Sequence, residues 1–427
     1  MSFKRRHTQD KNKTSRKKRL RGISKYHERE CHYLEEMIED IGLNSVVSMF
    51  LGDQELIEET NRLEDMALSR WYELRHYDSQ RFQKLRKNTL KASQILSIDA
   101  ALVKCGAHKD HEFRIMFKFS PEELKRLSLL LPSQFKSNQK HGSINREVAI
   151  MYVCARMKGA DSDLRKIASF FGRDEAHISE FYHLVTSYIL HAYGHLLDIR
   201  QMERWRRYLP AWERAYNLKI RQKLDQGDIE VNLGRFEGCN VIMDGIRLYV
   251  AQPSNHQKAS LLINPYLGNE ATMAFIGIVG ANGMIVGITD GCGGCENDPN
   301  VALNSDLYTW LEEAGMKAIC DSIFPHNDQA SPIPRLGQWI PFTGEQLRAV
   351  SGSRVTVEWA FGEIFTHFPY LRETNKLQID GTFPTKSLKV AILLLNFYRC
   401  FRGCNANTYF DQPAMSFDEY TAMPPVF

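Results

Sequence analysis

The sequence predicts an α+β protein in which an all-α part precedes a part built on a sheet, and two changes of pattern carry that expectation. Through most of residues 26–223 apolar side chains recur at three-to-four spacing, the period of a helix with one buried face. From Phe236 the runs become short, β-branched and bounded by glycine turns, and after "KAIC" the pattern turns helical again. Five segments follow from these changes: a basic tail (1–24), a helical region (25–112), a second helical region holding a helix-turn-helix-like pair (113–235), a sheet-bearing domain (236–402) and a C-terminal tail (403–427).

The tail explains the net charge of +4. Residues 1–22 hold ten Lys/Arg against one Asp, which leaves 45 Lys/Arg against 50 Asp/Glu in the rest. A stretch such as "KRRHTQDKNKTSRKKRLR" buries no apolar surface, so it is expected to be disordered and to serve nuclear import or nonspecific phosphate contact. No apolar run approaches the ~18 residues of a membrane span, and no apolar segment follows the basic start as in a secretory signal. The expected compartment is intracellular, the nucleus. Nine cysteines, an odd number over a long chain, fit reduced thiols. Cys292-x2-Cys295 and Cys400-x3-Cys404 lack nearby His partners for a zinc site and read the same way.

From Tyr26 to Leu96 the helical spacing is carried by Tyr33, Leu34, Met37, Ile38 and Ile41, then by Leu63, Met66, Ala67, Trp71 and Leu74. Near Phe113 a second helical region begins. Ser120-Pro121-Glu122-Glu123 supplies a cap, a proline at the first helical position and an acid at the third, a capping box. The polar "PSQFKSNQKHGS" reads as a loop, followed by helices at Arg146–Met157, Asp163–Phe171 and Ala176 to about Leu197. The last two are joined by Gly172-Arg173-Asp174, and Leu164, Ile167, Ala168 and Phe171 would face Ile178, Phe181, Val185 and Ile189 as a helix-turn-helix. Arg173 and His177 are its candidate DNA contacts, although Asp174, Glu175 and Glu180 beside them repel phosphate. Residues 200–223 interleave Arg204, Arg206, Arg207, Arg214, Lys219, Arg221 and Lys223 with Trp205, Tyr208, Trp212 and Tyr216, a pattern that suits either a nucleic-acid backbone or an amphipathic connecting helix.

In the sheet domain "NVIMDGIRLYVA", "ATMAFIGIV" and "MIVGITDG" read as strands, the last two joined by the hairpin turn Ala281-Asn282-Gly283. "LNSDLYTWLEEAG" reads as a helix and "KAIC" as a strand; a loop with several prolines leads to a helix around Glu358, and "SLKVAILLLNFYRCF" is the last helix. Three acids stand alone among apolar neighbours: Asp244 within the first strand, Asp321 at the end of the fourth, and Glu358 in the helix "SRVTVEWAFG". An unpaired carboxylate in such surroundings is costly, and three of them on a sheet-plus-helix frame are what a divalent metal site requires. Taken singly, each acid reads as a solvated or capping carboxylate. Asp298 reads as a turn or cap residue, Glu363 lies on a different helix face from Glu358, and Arg354, one turn before Glu358, suits either a DNA phosphate or a pairing with that acid.

"FEGCNVIMDGI", "GITDGCGGCENDPNVALNSDLY", "AICDSIFP" and "SRVTVEWAFGEIFTHFPYL" together resemble the motifs of the PIF/Harbinger-type DDE transposases, over about residues 113–402. The 37-residue step from Asp321 to Glu358 is also what that family's second and third acids imply. Asn297-Asp298 stands where relatives usually carry His-Asp, and "LLLNFYR" where they usually carry Leu-His-Asn. The resemblance implies a ribonuclease H-like mixed sheet with flanking helices. It implies Asp244, Asp321 and Glu358 as catalytic and metal-binding residues, with Asp244 bridging two Mg²⁺ or Mn²⁺ ions and each of the others completing one. It further implies a metal-dependent transposase or endonuclease that cleaves double-stranded DNA at transposon ends and joins the 3′-hydroxyl to target DNA, and a separate Myb-like DNA-binding partner. A homo-oligomer is the expected assembly. A second function of a different class stays open, a catalytically inactive, domesticated DNA-binding or chromatin-associated protein that kept the scaffold.

Overall fold

The computed structural model describes residues 94–106, 109–137, 142–158, 164–224, 234–333, 344–374, 377–379 and 384–426. The basic tail, nearly all of the helical reading from Tyr26 to Leu96 and residues 334–343 of the proline-bearing loop before Glu358 lie outside them. Residues 93–427 form one compact unit, so the divisions expected near 235 and 402 are not breaks in packing.

The first helices, α1 (Ile98–Lys104), α2 (Lys109–Phe117) and α3 (Pro121–Ser128), follow from their caps. Ser120 Oγ accepts from Glu123 N (3.2 Å) while the Glu123 carboxylate accepts from Ser120 N (2.6 Å), closing the expected capping box. The segment read as a polar loop instead holds a short antiparallel ribbon, β1 (Gln134–Lys136) with β2 (Ser143–Asn145). One inward residue per strand suffices for it: Phe135 and Ile144 are buried between exposed neighbours, and Phe135 meets Tyr188 edge-on at 5.6 Å. Helix α4 (Arg146–Lys158) is buried along most of its length, and α5 (Leu164–Phe171) and α6 (Glu175–Tyr193) form the helix-turn-helix-like pair. Gly172 takes φ +64° at the turn, and Asp174 caps α6 by accepting from His177 N at 2.7 Å.

His183, on α6, is driven the other way from a surface histidine. Desolvation lowers its pKa to about 4, with Lys386 and Arg156 adding to the effect. The folded state therefore favours the neutral ring, and the stability this contributes is present above about pH 6.5 and is lost as pH falls toward 4. Replacing His183 by Gln should flatten the acid limb of a pH series of thermal melts between those values; an unchanged limb would assign the acid sensitivity to other groups.

A 3₁₀ segment, Ile199–Tyr208, leads into α7 (Leu209–Leu224). The sheet domain then runs β3 (Val241–Tyr249), α8 (His256–Leu262), β4 (Ile263–Asn264), β5 (Glu270–Gly280), β6 (Ile285–Ile288), β7 (Cys292–Gly293), α9 (Asp298–Asn304), α10 (Leu307–Ala314), β8 (Ala318–Cys320), β9 (Ala330–Pro332), α11 (Gly344–His367) and α12 (Pro384–Arg402). The strand order is β4–β5–β3–β8–β9, with β6 and β7 also pairing with β5. Strands β3, β5 and β6 are antiparallel, whereas β8 lies parallel to both β3 and β9, so the sheet is mixed and β3 is central. This is the ribonuclease H-like α+β arrangement that the resemblance implies. The β5–β6 hairpin turns on Gly283 at φ +80°, and Asn282 Oδ1 accepts from Met284 N.

Helix α11 comes down closely on this sheet. Gly277 of β5 is paired with Asp244 of β3, and a Cβ at Gly277 would lie 2.7 Å from the Phe361 ring of α11. The absence of a side chain there lets the helix settle over the middle of the sheet. On α12, Asn396 is fully buried and holds β6 by both of its amide ends, accepting from Ile285 N (3.1 Å) and donating to Ile285 O (2.8 Å).

The C-terminal segment is not a tail. Residues 405–421 carry α13 (Asn405–Phe410) and α14 (Phe417–Thr421), and Phe410, Met415, Phe417, Tyr420 and Met423 are buried. Apolar residues three apart supply the reason, since they give short helices a face to bury. No helix among the described residues is long and apolar enough to cross a membrane.

Candidate active site

Asp244 enters the site from the central strand, and Glu358 from the helix laid over it. Between them stands Arg354, one turn before Glu358: one terminal nitrogen is 2.5 Å from Asp244 Oδ2, and the other 2.8 Å from Glu358 Oε1. Both readings of Arg354 began from that i,i+4 spacing, and pairing with the acids is what the structure contains. The Asp244 side chain is 18% exposed and that of Glu358 54%, so the pair spans the site from its floor to its rim.

Burial pushes the Asp244 carboxyl up to about 6. Arg354 and the Gly245 N–H, which donates at 3.0 Å, pull it down, while the nearby carboxylates of Asp321 and Asp298 push it up again. Asp321 follows β8, the parallel neighbour of β3, and accepts from the next backbone N–H, that of Ser322, at 2.6 Å. The parallel register of β8 with β3 thus brings Asp321 to Asp244, and α11 brings Glu358. Among the described residues no three His, Cys, Asp or Glu side chains converge closely enough to hold an ion, and Glu358 is paired with Arg354. The donor set nevertheless has the chemistry of a hard cation site: carboxylate oxygens without thiol or imidazole, with a guanidinium as the cation between two of them.

Residues 243–396 match the family model of the DDE superfamily endonuclease. The match begins one residue before Asp244, ends at Asn396 and includes all three acids, so this part of the chain is similar to nucleases and transposases of that superfamily. No curated protein and no solved structure matches the chain.

A fourth acid flanks the site of this DDE-endonuclease-like domain. Asp298 opens α9, where Asn297 supplies the cap by accepting from Asn300 N at 2.9 Å. The Asp298 carboxylate lies against Gly245, where a Cβ would collide with it, and is held by Arg247 at 2.6 Å. Arg247 went unnoticed in the sequence, where an arginine in an alternating strand gives no sign of a partner 51 residues away. Glu363, expected on another face, pairs with the buried Arg399 of α12 at 2.8 Å.

The expected DNA contacts of the helical region are engaged within the protein. His177 is only 2% exposed, packed between Phe181 (4.8 Å) and Tyr152 (5.9 Å), so a groove cannot reach it in this arrangement. Arg173 lies beside the Tyr152 hydroxyl. Arg204 donates to Gln201 O (2.8 Å), Arg206 pairs with Glu203 (3.0 Å), and Arg207 pairs with Glu419 (3.1 Å). The aromatic residues interleaved with them belong to the core: Trp205, Trp212 and Tyr216 are buried. Around Arg204–Arg207 the stretch is therefore an amphipathic connection whose arginines already have partners within the protein. A cleft of about 550 Å³ lies elsewhere, lined by Lys104, Met116, Arg165, Lys166, Ser169 and Phe170 and by none of the acids. The Cys292, Cys295, Cys400 and Cys404 thiols are free, and burial pushes those of Cys292 and Cys400 up to about 12, the behaviour of inert thiols.

Proposed function

We propose that the protein is a metal-dependent DNA transposase or endonuclease that cleaves phosphodiester bonds at transposon ends and joins the freed 3′-hydroxyl to target DNA. The observation that carries this reading is the approach of Asp244 and Glu358 from the central strand and the overlying helix, with Asp321 beside them, inside a domain similar to the DDE superfamily endonucleases. Asp244, Asp321 and Glu358 would hold Mg²⁺ or Mn²⁺, two ions in all, which when bound activate water and neutralise charge on the scissile phosphate.

The chain's own residues prepare that site. Arg354 keeps two mutually repelling carboxylates apart and partly neutralised. Its guanidinium is also the group suited to meet a phosphate once the acids take another cation. Arg247 pairs with Asp298 beside the three and so partly neutralises it, and the Gly245 N–H orients Asp244. The intact acids favour this reading over an inactive, domesticated DNA-binding protein.

The basic tail supports a nuclear location, and the engagement of the helical region's arginines supports end recognition by a Myb-like partner rather than by α6. A PIF/Harbinger-type ancestry and a homo-oligomeric assembly belong to the same proposal. The test is strand cleavage by the full chain, with Mg²⁺ or Mn²⁺ and with EDTA, on duplexes carrying the element's ends. Cleavage that needs the ions supports the reading; binding without cleavage under either metal would favour the domesticated protein.

A further inference from the structure

Two cations beside Glu358 are turned toward an aromatic ring instead of an acid. On α7, Lys219 and Lys223 lie one turn apart, and their amines sit 4.4 and 5.1 Å from the centre of the Tyr409 ring. Among the described residues neither lysine forms an ion pair. In this they differ from Arg204, Arg206 and Arg207 of the preceding segment, each of which already has a partner. Lys223 is exposed and Lys219 half-buried.

The ring that carries them is anchored to the helix of the candidate active site. Tyr409 donates its hydroxyl to Gly352 O of α11 at 2.9 Å and meets Trp359, the residue after Glu358, edge-on at 5.6 Å. Gly352 leaves room for the Lys223 amine, which lies where a Cβ would stand. We infer that Lys219 and Lys223, preset by the Tyr409 ring, form a clamp for the DNA phosphate backbone entering the acid site. This inference rests on the reading of the protein as a DNA-cleaving enzyme and names how its substrate is held.

The physical case is that of electrostatic complementarity. A cation over an aromatic face keeps its charge and most of its donors, and loses little freedom on meeting a phosphate because it is already positioned. A clamp on one side of Glu358 also supplies what the acids lack, since carboxylates alone repel the strand they act on. Tyr409 is a positioning residue here, acting through the two amines.

The test is fluorescence anisotropy of the full chain with a labelled duplex, in EDTA, over a range of salt. The K219Q/K223Q double variant should bind at least tenfold more weakly near physiological salt, and its slope of log affinity against log salt should fall by about 1.8, two phosphate contacts at ~0.9 each. K125Q, at an exposed lysine paired with Asp99, should change neither. Tyr409→Leu should weaken binding, and Tyr409→Phe, which keeps the ring, should restore it. An unchanged slope in the double variant, with an unchanged melting temperature, would overturn the clamp. Because the assay needs no turnover, a wild type that fails to cleave would count against the active-site reading alone, and a cleaving wild type with an unaltered slope in the double variant would count against the clamp alone.

Discussion

Asp244→Asn, Asp321→Asn and Glu358→Gln should each lower metal-dependent DNA cleavage at least ~100-fold, since removing even the outer partners of metal ligands costs ~10–100-fold. Each exchange keeps the size of the side chain and removes the charge a hard cation requires. The fold should survive: Asp244 gives up a carboxylate that burial already disfavours, and Glu358 is mostly exposed. Asp298→Asn is the useful contrast. With Arg247 holding it, this residue is expected to act structurally, and its amide variant should cleave within about tenfold of wild type. The measurement is initial rate on end-containing duplexes at saturating Mg²⁺, with circular dichroism as the folding check. An acid whose amide variant keeps more than about a tenth of the rate would leave the assignment.

The largest expected loss of stability is at Asn396. Its side chain is fully buried, satisfies both backbone groups of Ile285 and donates to the Tyr420 hydroxyl at 2.8 Å. Asn396→Leu keeps the branching and the number of heavy atoms but makes none of these bonds, so three buried polar groups lose their partner together. At ~1–3 kcal/mol for each unsatisfied group, and with some relaxation toward water, a loss of about 3 kcal/mol is expected. Urea unfolding should move to a lower midpoint with an unchanged slope. A shift worth less than about 1 kcal/mol would mean that β6 finds other partners for Ile285.

Asn396 also marks how far the sequence could be read. As part of "LLLNFYR" it was noticed only as a departure from a motif, because what it touches is a strand 111 residues earlier. The same limit separates what was legible from what was not. The three long strands, the capping box and the Glu358 helix announce themselves through local period and local chemistry. Arg354 was legible because helix geometry alone brings i and i+4 together. By contrast β9 has three residues and a proline, β1 and β2 bury one side chain each, and nothing in "CNANTYF" says that Tyr409 will carry two lysines from nearly two hundred residues upstream. His177 misled for the same reason: a histidine at the start of a second helix looks available until Tyr152 and Phe181 close over it.

The docking of the last residues bears on how the chain is made. Asp418 pairs with Arg126, Glu419 with Arg207, and the Met423 carbonyl meets His195, so the final stretch closes on helices synthesised long before it. At ~5–20 residues per second, Arg126 leaves the ribosome roughly 15 to 60 s ahead of its partner 292 positions later. During that wait the surfaces that Phe410, Phe417 and Tyr420 will cover stay open, and a nascent chain halted before residue 405 would expose them for as long as it persisted. Emergence of residues 405–423, rather than arrival of Glu358, is then the event that closes these surfaces. Chaperones have their longest opportunity in the interval before it.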